Sequence, residues 1–110
     1  MKRTFIETPS FTEKWHNLNL TDEDLRNLQN AIMCDPKSAG DVIPGTGGLR
    51  KIRIAAKNHG KRGGERVIYV DIEIKESVYL LNVYAKNEKS DLTTTEKKLL
   101  KAAVEILREE

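Results

Sequence analysis

Apolar and polar positions along the chain change period several times, and each change marks an element. Lys2 to Thr8 alternates as a short strand with Phe5 as its core contact. Phe11, Trp15 and Leu18 then recur at helical spacing, and Ser10 with Glu13 has the form of a capping box. A second helix follows. Thr21 is its N-cap, with Asp22, Glu23 and Asp24 in the first turn, where negative charge suits the helix dipole. Leu20 and Leu25 are placed as a hydrophobic staple, and Leu25, Leu28, Ile32 and Met33 form the buried stripe. Asp35-Pro36 ends it, because the residue before proline is pushed out of the α region.

Lys37 to Gly48 reads as a linker, rich in glycine and holding Pro44. Period two then returns. Leu49–Ala56 puts Ile52 and Ile54 on one face and Lys51 and Arg53 on the other. Glu65–Glu73 puts Ile68, Val70 and Ile72 opposite Val67 and Tyr69. Val78–Ala85 is apolar on both faces, as an interior strand should be. Lys57–Gly64 joins the first two of these strands as a long hairpin, and Glu76-Ser77 turns between the last two. A final helix is capped by Thr93-x-x-Glu96 and lined by Leu99, Leu100, Ala103, Val104 and Leu107. The order β-α-α-β-β-β-α defines an α+β fold with a small, mostly antiparallel sheet.

The chain has 110 residues, enough for a single domain spanning 1–110 with one modest core. With 38% apolar and 33% charged residues it is a folded chain rather than a disordered one. The apolar runs are too short to span a bilayer and the N-terminus has no signal-peptide core, so no membrane partner and a cytoplasmic location are expected. The single cysteine, Cys34, fits that location and reads as an inert packing or surface thiol.

Charge changes the picture more than composition does. Residues 1–49 carry five Lys/Arg against seven Asp/Glu, and residues 67–110 carry seven against nine. Residues 50–66 carry seven against one. A mildly acidic chain with one basic centre has the footprint of a polyanion site.

Other candidate chemistry is weaker. Gly45-Thr-Gly-Gly48 lacks the Lys-Ser/Thr pair of a phosphate loop and leads into a strand, so it reads as a turn. His16 and His59 are the only histidines, and no Cys/His spacing suits a metal. His16 reads as helix surface. His59 lies in the basic hairpin, as a solvated residue or as an acid or base. Asp91 reads as helix-entry capping. The basic set itself comprises Arg50, Lys51, Arg53 and Arg66 on strands, Lys57, Lys61 and Arg62 in the hairpin, and Lys86, Asn87 and Lys89 after the last strand. Lys51 and Arg53 project from one face about 7 Å apart. Solvation accounts for any one of these lysines alone, whereas an anion site accounts for the set.

The blocks GGLRKIR, GKRGGERVIY and YAKNEKSDLT, in this order and spacing, resemble the RelE/ParE superfamily of bacterial type II toxins, most closely its HigB-like branch. The resemblance covers nearly the whole chain. It implies a toxin neutralised by a cognate antitoxin protein. For the RelE and HigB branches it further implies an endoribonuclease that cuts mRNA in the ribosomal A site. There the RNA's own 2′-hydroxyl attacks phosphate, with neither metal nor small-molecule cofactor. Arg66 matches the family's transition-state arginine. Lys51 and Arg53 match two cations, one of them a candidate for activating the 2′-hydroxyl, and Lys86 matches a lysine after the last strand. Arg50, Lys57, His59, Lys61, Arg62, Tyr84, Asn87 and Lys89 are the expected RNA and ribosome contacts. Two positions depart from the RelE pattern. Asn87 stands where that pattern has an arginine as general acid, and Thr93 where it has a base-stacking tyrosine. Lys86, Lys89 and His59 are then alternative acids, and Tyr84 is either a stacking surface or a core residue. A lysine base needs its ordinary pKa of about 10.4 lowered, which clustered cations would do. Two rivals remain: a ParE-like gyrase inhibitor with the same fold, and a non-catalytic RNA-binding module with this sheet. The retained Lys51, Arg53, Arg66 and Lys86 set disfavours the first, and the shortage of exposed aromatics disfavours the second.

Overall fold

A computed structural model describes residues 2–36, 38–55, 64–86, 88 and 91–109. The elements are β1 (Thr4–Glu7), α1 (Pro9–Asn17), α2 (Asp22–Cys34), β2 (Asp41–Val42), β3 (Arg50–Ile54), β4 (Glu65–Ile72), β5 (Ser77–Ala85) and α3 (Thr94–Glu109). One turn of 3-10 helix, Glu73–Lys75, lies between β4 and β5. The sheet order is β1-β5-β4-β3-β2. β1 runs parallel to β5, and the other pairs are antiparallel. The class is α+β, and the order is the expected one with β2 added inside the glycine-rich segment. Both residues of β2 are exposed, so the strand carries no burial period to read.

α1 begins earlier than its sequence suggests. The cap is Thr8 rather than Ser10. The Phe11 N–H donates to Thr8 Oγ1 at 3.2 Å. Pro9 occupies the first turn, where its missing N–H has no helical partner to lose. Phe11 and Trp15 stack with ring centroids 5.4 Å apart. They pack with Leu28 and Ile32 of α2 on Val67, Tyr69, Val78, Leu80 and Val83 of the sheet. α2 has a complete capping box: the Asp24 N–H donates to Thr21 Oγ1, and the Thr21 N–H donates to Asp24 Oδ2 at 2.9 Å. It ends at Cys34, one residue before Asp35-Pro36.

The opposite face of the sheet packs on α3. Ile68, Val70, Ile72, Leu81 and Tyr84 cluster there with Val104, and Leu100 and Leu107 flank them. Leu99 does not belong to that stripe, since it is 68% exposed. α3 touches the sheet along a narrow seam, and Leu99 falls outside it. A bulge decides which face the end of β5 presents. Tyr69 pairs with Leu80 but Ile68 pairs with Asn82, leaving Leu81 as an extra residue on β5. Alternation inverts there. Val78 and Leu80 face the first cluster before the bulge, and Val83 faces it after. Tyr84 is thereby turned to the α3 face.

β1 is tied across the sheet by Arg3, whose Nε donates to Asp71 Oδ1 at 2.7 Å and Nη2 to Asp71 Oδ2 at 3.2 Å. This bidentate, shielded pair holds the Arg3 guanidinium more firmly protonated than usual, chiefly through its hydrogen bond to Asp71. Among the described residues no helix is long and apolar enough to cross a membrane.

Candidate nucleic-acid interface

Register brings the strand cations together. Arg53 on β3 stands directly opposite Arg66 on β4, and Arg66 stands opposite Tyr84 on β5. Lys51 stands opposite Ile68, one row further along. Residues opposite one another across a sheet share a face. Ile68 and Tyr84 belong to the α3 side, so Lys51, Arg53 and Arg66 lie on that side too. Like charges directly opposite destabilise a sheet. This pairing sets two cations side by side on the α3 face of the sheet.

Three basic residues converge on the backbone at Gly64. Arg66 Nη1 donates to its carbonyl at 3.3 Å. The Lys86 backbone N–H donates to the same oxygen at 3.4 Å, which ties the turn after β5 to the start of β4. The Lys86 side chain is exposed. Arg53 Nε approaches the same residue, so the side chains of Arg53 and Arg66 lie side by side.

The N-terminus of α3 supplies an unexpected carboxylate. Asp91 Oδ1 is 3.7 Å from Lys51 Nζ, and Asp91 Oδ2 is 3.9 Å from Lys97 Nζ. The Leu92 N–H also donates to Asp91 at 2.8 Å. That hydrogen bond holds the Asp91 carboxyl below its usual range; desolvation opposes it, and the two lysines each add a smaller pull in the same direction as the hydrogen bond. Asp91 is thus a bridge between β3 and α3 rather than a helix cap. The capping box is formed by Thr93 and Glu96, as expected: the Glu96 N–H donates to Thr93 Oγ1 at 3.1 Å, and the Thr93 N–H donates to Glu96 Oε1 at 2.8 Å. The clustered cations are thus joined at Lys51 by a carboxylate, which the sequence pattern did not place there. Sequence reasoning also passed over Lys97. A cation in the first turn of a helix opposes the dipole, and that mismatch was the available signal.

Tyr84 is 3% exposed and packed in the second core cluster, so it offers no open ring for base stacking in this structure. Burial raises the pKa of its phenol, Asp91 adds to the effect, and Arg66 opposes it. Arg50 also departs from expectation. It stands opposite Tyr69, which packs on the α1–α2 side, and its Nη1 donates to Gly40 O at 2.6 Å. Charge alone grouped it with Lys51 and Arg53, but strand alternation puts it on the other face. Lys57, His59, Lys61, Arg62, Asn87 and Lys89 lie outside the described residues.

The glycine-rich segment is a turn, with positive φ at Gly45, Gly47 and Gly48, and it leads into β3. Cys34 is exposed at the end of α2. Among the described residues no three His, Cys, Asp or Glu side chains assemble to hold a metal ion.

An α+β sheet with three basic side chains on its α3 face places the chain in a defined structural class. A mutant of E. coli toxin RelE in the free state matches with a TM-score of 0.55 and 18% identity, over 76% of this chain and 82% of that one. The isolated E. coli RelE toxin matches with a TM-score of 0.54 and 17% identity, over 90% and 96%. A chain of the intact E. coli RelBE toxin–antitoxin complex matches at 0.54 and 18%, over 72% and 90%. At these identities the likeness is one of fold. The family model for the RelE toxin of the RelE/RelB toxin–antitoxin system matches residues 3–109, and the chain belongs to that family.

Proposed function

We propose that this toxin is a ribosome-dependent endoribonuclease that cuts translated mRNA in the A site, inhibits translation and is neutralised by a cognate antitoxin. The observation that carries this reading is the like-charged Arg53–Arg66 pair with Lys51 on the same sheet face. A phosphate resolves the repulsion by sitting between the cations. Cleavage runs through the RNA itself. The 2′-hydroxyl passes its proton to a base, for which Lys51 or Arg53 is the candidate, its oxygen attacks phosphorus, the bond to the 5′-oxygen breaks, and a 2′,3′-cyclic phosphate is left. Charge builds on the phosphoryl oxygens in the transition state. Preorganised cations there stabilise it more than they stabilise the ground state.

Arg66 is the transition-state donor in this reading, because its guanidinium is oriented by the Gly64 carbonyl. Lys51 and Arg53 contact the phosphate or the attacking hydroxyl, and Lys86 is the described candidate to protonate the leaving 5′-oxygen. The loop cations Lys57, Lys61 and Arg62, with His59, Asn87 and Lys89, contact RNA or ribosome. The protein works in the cytoplasm and takes no metal or small-molecule cofactor.

Single-turnover cleavage of a defined codon on stalled ribosomes tests the reading. Cleavage with a cyclic-phosphate end, abolished by Arg66→Ala, is the expected result. No cleavage by folded wild-type protein, together with inhibition of gyrase, would replace it with the ParE-like reading.

A further inference from the structure

Gly64 immediately precedes β4, with φ of +120°, a conformation that side chains with L stereochemistry rarely adopt. A Cβ built on it would stand 2.7 Å from Arg53 Nε, 3.1 Å from Arg66 Nη1 and 3.4 Å from Arg53 Cγ. The space a side chain would need is therefore taken by Arg53 and crowded by Arg66. We propose that Gly64 is a positioning residue of the cleavage site: its bare Cα forms the slot that lets Arg53 lie beside Arg66, and its carbonyl sets the direction of the Arg66 guanidinium. The proposal rests on the reading that these arginines engage phosphate.

Two guanidinium groups side by side repel, and they stay together only if the surroundings fix them. The Gly64 carbonyl provides a negative dipole at Arg66 Nη1, and the Lys86 N–H on the same oxygen anchors that carbonyl in turn. One peptide unit thus serves as the reference point for basic residues from β3, β4 and the turn after β5. A methyl group at position 64 would push Arg53 out of the slot and tilt Arg66. Misplacement on the order of 1 Å in a site of this kind costs about 10²-fold in rate.

The test combines kinetics with a direct view of the arginines. Gly64→Ala should cut stalled ribosomes about 10²-fold more slowly, as misplacement predicts, with half-saturation by ribosomes unchanged. In the Arg53→Ala background the same substitution should cost far less, since the clash has lost its main partner. The 15N spectra of the side chains, assigned with Arg53→Lys and Arg66→Lys, should show both Nε–H resonances displaced in Gly64→Ala. An equal cost in both backgrounds, unmoved arginine resonances, or wild-type cleavage by Gly64→Ala would overturn the proposal. If Gly64→Ala does not fold, the pair Gly64→Ala/Arg53→Ala decides. Recovery of the fold assigns the defect to the slot, and failure to recover assigns it to the backbone and overturns the proposal. A wild-type protein that cuts nothing would sink the nuclease reading alone, because the 15N spectra still report on the slot.

Discussion

Arg66 concentrates the chemistry of single residues. It is fixed at the start of β4, faces Arg53 and is bonded to Gly64 O. Removing one preorganised transition-state donor typically costs about 10²–10³ in rate, roughly 3–4 kcal/mol. Arg66→Ala should therefore lose growth arrest and single-turnover cleavage while keeping its fold by circular dichroism. Arg66→Lys should rescue little, since a point charge cannot reproduce a planar fork. Near wild-type cleavage by folded Arg66→Ala would move attention to Lys86. Asp91 predicts a pH dependence. Its carboxyl is held below the usual range in the folded state, so the unfolded state binds more protons in acid. The resulting stability is present above the unfolded value of about 4 and is lost as pH falls through the lower folded value. Asp91→Asn should lower thermal stability slightly at neutral pH and match wild type in strong acid. The effect is small because the Asp91 side chain is 52% exposed and its ion pairs are screened. Strand alternation made Lys51, Arg53 and Arg66 legible from the sequence. It would also have separated Arg50, had side been weighed as heavily as charge. Asp91 was not legible as a partner of Lys51, because that contact joins residues forty positions apart through the placing of α3.

At the scale of elements, the helix ends carry the clearest test. Thr21 makes a complete capping box, and replacing such a cap costs typically about 1 kcal/mol. Thr21→Ala should lower the unfolding free energy from a urea titration by that amount and leave cleavage by the folded fraction unchanged. Thr8→Ala should behave similarly, and Ser10→Ala should stay within about 0.5 kcal/mol of wild type. The reverse ranking of Thr8 and Ser10 would contradict the observed start of α1. The sequence carried two signals there, the Ser10-x-x-Glu13 pattern and Pro9, and proline's fit to the first turn settles the competition. The bulge in β5 had no such signal. Strict alternation from Val78 would put Tyr84 with Leu80 on the α1–α2 side. Only the extra residue at Leu81 turns Tyr84 toward Arg66 and α3. Two-residue strands such as β2 are equally silent, since two positions define no period.

For the whole molecule, the uneven charge sets how it meets an anionic partner. Residues 50–66 hold seven of nineteen Lys/Arg, yet the fold sends Arg50 to one face of the sheet and Lys51, Arg53 and Arg66 to the other. Binding of a non-cleavable single-stranded RNA should therefore be strongly salt-dependent, with Arg50 taking no part. If the four described cations Lys51, Arg53, Arg66 and Lys86 each neutralise a phosphate, they alone contribute roughly −3 to the slope of log K against log salt, and any loop cation that contacts the RNA steepens it. Lys51→Ala and Lys86→Ala should each flatten that slope by up to about 0.7. Arg50→Ala should leave it unchanged, because Arg50 is turned to the α1–α2 side and bonded to Gly40 O. Fluorescence anisotropy across a salt series measures all three slopes. An Arg50→Ala slope flattened as much as that of Lys51→Ala would mean that the RNA wraps the β2 edge of the sheet rather than lying on its α3 face. A wild-type affinity indifferent to salt would remove the phosphate site altogether.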